Sequence, residues 1–199
     1  MKDEIQSCYN SIRKRKEYFA VTDNELIEYA AKLGFSDAKI VKTKDLVFDP
    51  SFRPYCAENL CGQYGANYSC PPDCGTPEEM KNKIISHKKA LVLESLWKVK
   101  DYSDTPAIIA GKTTHNRWGM QLLKHARSQG LSGFFVGASG CSLCSPCEIQ
   151  KGKPCRFPQL RWSCMSAYCI YVKKLTELTG MNYSPDPGLL TFYGMFVFD

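Results

Sequence analysis

A chain of 199 residues with 26 basic and 20 acidic side chains, formal charge +6, is long enough for one domain with a real core. Its apolar share of 44% is ordinary for a globular fold, and its longest apolar runs, Ala90 to Leu93 and Leu131 to Gly137, are too short to span a bilayer. Met1-Lys2-Asp3-Glu4 lacks the apolar stretch of a secretory leader, so the eleven cysteines are expected in a reducing cytoplasm, free to bind metal rather than to pair.

Helical spacing of Ile5, Tyr9, Ile12 and Phe19 predicts a first helix from about Lys2 to Phe19. It carries Cys8 and the run Arg13-Lys14-Arg15-Lys16, read as a solvated face; no zinc-finger pairing, helix-turn-helix cue or aromatic RNA-binding signature supports nucleic acid. Thr22 and Glu25 form a capping box opening a helix through Leu33, stopped by Gly34. Ala38 to Val41 reads as a short strand. The stretch from Asp49 to Gly75, rich in Pro, Gly, Asn and Cys, has no period and is expected to be loop. Thr76-Pro77-Glu78-Glu79 repeats the box signal and predicts a helix to Lys89, followed by a buried strand from Ala90 to about Val99.

A further helix is expected from Pro106 to Gln129, bearing His115, Trp118, Leu122 and His125. Gly133-Phe-Phe-Val136 then reads as a strand feeding Gly140-Cys141. Trp162 to Leu178 has helical spacing, with Cys164 and Cys169 on it, and Leu189 to Phe198 reads as a last strand. The fold class expected is α/β or α+β: a single layered domain over residues 1–199, with a central mixed sheet of about four strands flanked by helices. Two cysteine-rich metal-binding loops, at 56–75 and 140–156, would sit on it.

The second loop carries the sharpest signal. Cys141, Cys144 and Cys147 fall within seven residues, and Cys155 returns after a Gly/Pro excursion. Two consecutive two-residue gaps let one tight loop aim three thiolates at a common centre, as a [4Fe-4S] cluster demands. Zinc, the alternative, takes its ligands more readily as two separated pairs. Ser142, Ser145 and backbone amides near Gly140 are candidate donors to cluster sulfurs, and Lys151, Lys153 and Arg156 are placed to offset its charge.

Cys56, Cys61, Cys70 and Cys74 form the other group, with four, eight and three intervening residues. That spacing matches no standard ferredoxin run, yet it fits a loop wrapped around a second cluster or a zinc ion, or a set of unligated thiols. If three of them bind and Cys74 stands aside, one iron is left open as a Lewis acid toward substrate. Cys164 and Cys169 read first as core residues and second as substitute ligands. His115 reads as a structural residue unless its helix faces a cluster, where it would be a proton donor. No GxGxxG, GxxxxGK[ST] or GxSxG pattern occurs, so nucleotide binding and that hydrolase class have no support.

The motifs Cys61-Gly-Gln-Tyr64-Gly65, Cys70-Pro-Pro72 and Thr76-Pro77-Glu78-Glu79 resemble the first half of a family of cysteine-rich predicted metal-binding proteins, domain of unknown function 2284. Cys141-x-x-Cys144-x-x-Cys147 and Gly152-Lys-Pro-Cys155-Arg156, followed by a helix at Met165, are similar to its second half, so the resemblance runs from about Cys56 onward. It implies metal binding, with iron–sulfur favoured, and no established reaction. Cys164, Ser166, Cys169 and Tyr171 stand where the family pattern has Ser, Glu, Gly and Asp, which removes the carboxylates that would have been acid/base candidates. No catalytic residue is assigned. The function expected is an iron–sulfur protein of electron transfer, or of reduction of a small substrate, served by a redox partner and acting away from nucleic acid and membrane. A zinc-stapled interaction protein and a metal-handling protein are the alternatives.

Overall fold

A computed structural model describes residues 21–183 and 188–199. The first expected helix, with Cys8 and the Arg13 to Lys16 run, lies outside them. Helices α1 (Asp23–Leu33) and α3 (Pro77–Ile85) both begin on the expected capping boxes: Thr22 accepts from the Glu25 amide, and Thr76 from the Glu79 amide. Between them come β1 (Asp37–Lys42) and α2 (Arg53–Ala57). Then follow β2 (Lys89–Lys98), α4 (Thr105–Ser128), β3 (Gly133–Gly137), β4 (Ser163–Cys164), α5 (Val172–Thr179) and β5 (Leu189–Phe198).

The five strands form one sheet in the order β1-β2-β5-β3-β4. All neighbours are antiparallel except β3 and β4, which run parallel, with Val136 opposite Ser163 and Gly137 opposite Cys164. The sheet is mixed, as expected, with one strand more than expected. Side chains alternate strictly between its faces. Ala90, Val92, Val136, Met195 and Val197 pack under Met80, Ile84, Tyr168 and Leu175 on the face of α3 and α5. Leu91, Leu93, Phe135, Phe196 and Phe198 pack under Leu26, Ala30, Leu122 and Leu123 on the face of α1 and α4. With both faces covered, a strand such as β2 reads as an unbroken apolar run rather than an alternating one.

Two expectations need correction. The helix expected over Trp162 to Leu178 begins only at Val172; Ser163-Cys164 is the edge strand, and turns fill the interval. Cys169 has φ 55°, a left-handed conformation that no right-handed helix can contain. The stretch Asp49 to Gly75, expected to be all loop, contains a short 3-10 turn at Pro50–Phe52 and then α2. Asp49 caps the turn by accepting from the Ser51 amide, and prolines at Pro50 and Pro54 sit in first-turn positions where no N–H is needed. Among the described residues no helix is long and apolar enough to cross a membrane.

Candidate metal centre

Both cysteine loops lie at the β3/β4 edge of the sheet, and they are clamped together. The Asn67 side-chain amide donates to the Cys141 carbonyl at 2.8 Å, and the Cys141 amide donates to Ser69 Oγ at 2.8 Å. Farther along, Tyr68 donates to the Lys153 carbonyl at 2.9 Å and Gln150 to the Ala66 carbonyl at 3.0 Å. The loops also meet at Gly140, where an added Cβ would stand 3.0 Å from Cys70 Sγ and 3.2 Å from Ser69 Oγ. A methyl there would press the Cys70 sulfur and the Ser69 hydroxyl back by a few tenths of an ångström.

Strand β3 delivers the second loop. Asn116 on α4 accepts from the Ala138 amide at 2.9 Å and donates to Ser139 Oγ at 2.9 Å, while Trp162 donates to the Ser139 carbonyl at 3.0 Å. The segment leading into Cys141 is therefore fixed before the first cysteine. Farther on, the buried Glu148 carboxylate accepts from Arg156 at 2.7 Å and from Lys151 at 3.2 Å. These two cations share one carboxylate of their own loop, so a net positive charge remains beside the cysteines. Cys144 and Cys155 both lie within electrostatic reach of Cys141, and the amides of Leu143 and Trp162 face the Cys141 sulfur. Cys147 precedes the 3-10 turn at Glu148–Lys151 as its N-cap residue.

A cavity of about 740 Å³ opens beside the clamp. Cys56, Cys61 and Cys70 line it, together with Cys141 and Cys164; Cys74 does not. Instead, Cys74 Sγ accepts from Arg53 Nη1 at 3.6 Å, and the same guanidinium donates to the Gly75 carbonyl at 2.9 Å and the Ala167 carbonyl at 2.7 Å. Arg53, which belongs to no motif in the sequence, also lies beside Cys169. Desolvation pushes the Cys70 thiol up to about 12 and raises Cys56, Cys74 and Cys164 as well. Such thiols stay protonated at neutral pH unless a cation displaces the proton, which is what a metal does. An all-sulfur donor set flanked by backbone amides is one that iron–sulfur clusters or zinc accept. Among the described residues no three His, Cys, Asp or Glu side chains stand grouped to grip a single ion.

Cys169 is buried, pinned where its carbonyl accepts from the Asp49 amide at 2.8 Å. Its positive φ explains why a glycine suits this position in the pattern noted above.

His115 takes the structural role. It is fully buried on α4, with Nδ1 2.7 Å from Ser95 Oγ and its ring edge-on to Phe35, and it does not line the cavity. Burial lowers its pKa from 6.5 to about 3. The unfolded chain therefore binds a proton below pH 6.5 that the folded chain refuses until about pH 3, and stability drains away across that window. Measured against a His115→Gln variant in urea titrations, the parent should lose about 1.4 kcal/mol per pH unit as pH falls from 6.5. Parallel pH profiles would refute the buried neutral assignment. His125 stacks on Tyr29 with ring centroids 3.8 Å apart and does not line the cavity.

No curated protein and no solved structure matches the chain. A family model described as predicted metal-binding protein (DUF2284) matches residues 39–198, starting before the first cysteine loop and running through the last strand. The two clamped cysteine loops thus lie wholly inside the matched region, and the chain belongs to this family of predicted metal-binding proteins.

Proposed function

We propose that the chain is an iron–sulfur protein of electron transfer. Cys141, Cys144, Cys147 and Cys155 would hold one [4Fe-4S] cluster, and Cys56, Cys61 and Cys70 would contribute to a second at the cavity. The observation that carries the reading is the clamp of Asn67 and Ser69 on Cys141, which joins two all-thiol loops from distant parts of the chain into one unit. Bound there, such clusters supply reversible one-electron chemistry. The residues around them do the rest. The Leu143 and Trp162 amides stabilise negative charge on the Cys141 sulfur, and Asn116 and Trp162 fix the loop so that little rearrangement accompanies a change of charge.

The cavity favours a second reading, reduction of a small anionic molecule. Lys112 and Lys173 line it, and among the described residues neither forms an ion pair and no Asp or Glu lines the cavity. Tyr55, Tyr64 and Tyr171 supply aromatic wall. Two ammonium groups lining a recess without a carboxylate raise the local concentration of anions.

Protein purified without oxygen should be brown and carry near-stoichiometric iron and acid-labile sulfide, about eight of each per chain for two cubanes. A colourless preparation containing one or two zinc ions would overturn the proposal, because zinc is d¹⁰ and leaves no colour.

A further inference from the structure

Resting on the two-cluster reading, we infer that Cys164 is the fourth thiolate of the cavity site and that Cys74 is not a ligand. Five cysteines line the cavity: Cys56, Cys61, Cys70, Cys141 and Cys164. Cys141 belongs with Cys144 and Cys155 on its own loop, and its sulfur faces the amides of Leu143 and Trp162. Four thiols remain, the number a cubane takes.

The topology places Cys164 there although it lies far from the other three in sequence. Strands β3 and β4 run parallel and pair at Gly137 and Cys164, so the second cysteine loop leaves the end of β3 and returns beside its own starting point. Gly140, three residues past Gly137, stands against Cys70. Cys164 thus enters the same recess from the sheet edge. The backbone amides of Ser166 and Ala167 lie against its sulfur, as those of Leu143 and Trp162 do at Cys141, so donors to a bound thiolate are already in place.

The competing thiols are engaged elsewhere. Arg53 holds Cys74 Sγ while bridging the carbonyls of Gly75 and Ala167, and α3 starts at Pro77 directly behind. Cys169 is 1% exposed, lies beside the same guanidinium and does not reach the cavity. A ligand set of Cys56, Cys61, Cys70 and Cys164 closes the site, leaving no iron open to an exogenous ligand.

The test compares anaerobically purified parent, Cys164→Ala and Cys74→Ala for iron content and for the electron paramagnetic resonance of the dithionite-reduced protein, with and without cyanide. The parent should hold about eight irons and give a spectrum that cyanide leaves unchanged. Cys74→Ala should match it. Cys164→Ala should either lose about half the iron or keep a signal that cyanide now shifts, since an iron has been opened. The parent measurement does not depend on any variant folding: a two-cluster parent whose signal cyanide alters refutes the closed site. A Cys164→Ala protein indistinguishable from the parent, or iron loss from Cys74→Ala, overturns the ligand assignment alone. A parent holding a single cluster overturns the two-cluster reading and this inference with it.

Discussion

Replacing Cys144 by Ala should remove about half the iron and, with it, at least about 3 kcal/mol of stability, an effect on the scale of losing a native cross-link. The loop bearing it has little core of its own. From Ser142 to Phe157, Glu148 is the sole buried side chain, and that one is held by an ion pair rather than by apolar packing. A segment that cannot bury apolar surface must take its order from its ligand, so binding free energy becomes folding free energy. For a chain of this size the loss corresponds to a fall of roughly 6–12 °C in melting temperature. Because the Tyr68 and Gln150 contacts tie this loop to the first, the second site should loosen as well, and its iron should exchange faster with a chelator. A Cys144→Ala protein with full iron and an unchanged melting curve would remove Cys144 from the ligand set.

Much of the framework was legible because it is encoded locally. Thr22 with Glu25 and Thr76 with Glu79 announce two helix starts within four residues each, and both boxes form. Ala90 to Leu93 and the final apolar run declare strands buried on both faces. Strand β4 was illegible for the opposite reason. Two residues have no period, and Ser163-Cys164 is a strand solely because β3 lies alongside. The helical spacing that hid it, through Trp162, Met165 and Cys169, comes from packing against opposite faces of the sheet and from a turn, with Trp162 in one core cluster and Met165 in the other.

The site divides in the same way. Crowded cysteines are visible in any sequence, but their partners are not. Asn67, Ser69 and Asn116 act through hydrogen bonds to backbone or hydroxyl groups across 74, 72 and 22 to 23 positions of chain, which leave no local pattern. Arg53 and Cys164 are tertiary in the same sense. Among the cysteines first grouped by proximity, Cys74 turns to Arg53 and away from the cavity, and the guanidinium that draws it there comes from α2, where no helix was expected.

Gly137→Ala should be among the most damaging single-methyl additions in the chain, and it should act on the metal loop. An added Cβ would stand 2.5 Å from Trp162 Cδ1, 2.7 Å from Asn116 Oδ1 and 2.7 Å from Trp162 Nε1. Those two side chains are the anchors that hold Ala138 and Ser139 ahead of Cys141, so the methyl cannot be accommodated without pushing them off their hydrogen bonds. Overpacking costs about 1–3 kcal/mol, and stranding the buried Asn116 amide adds about 1–3 kcal/mol more. Gly152→Ala is the matched contrast. Gly152 lies in the same loop with φ 62° and nothing within 4 Å of its added Cβ, so only backbone strain of about 1–2 kcal/mol opposes the change. Urea midpoints and iron content of the two variants separate the cases. Gly137→Ala should lose more stability and most of the iron at Cys141 to Cys155, whereas Gly152→Ala should keep its iron. Equal iron in both would show that the Asn116 and Trp162 anchors do not position the cysteines, and the second loop would then owe its geometry to the metal alone.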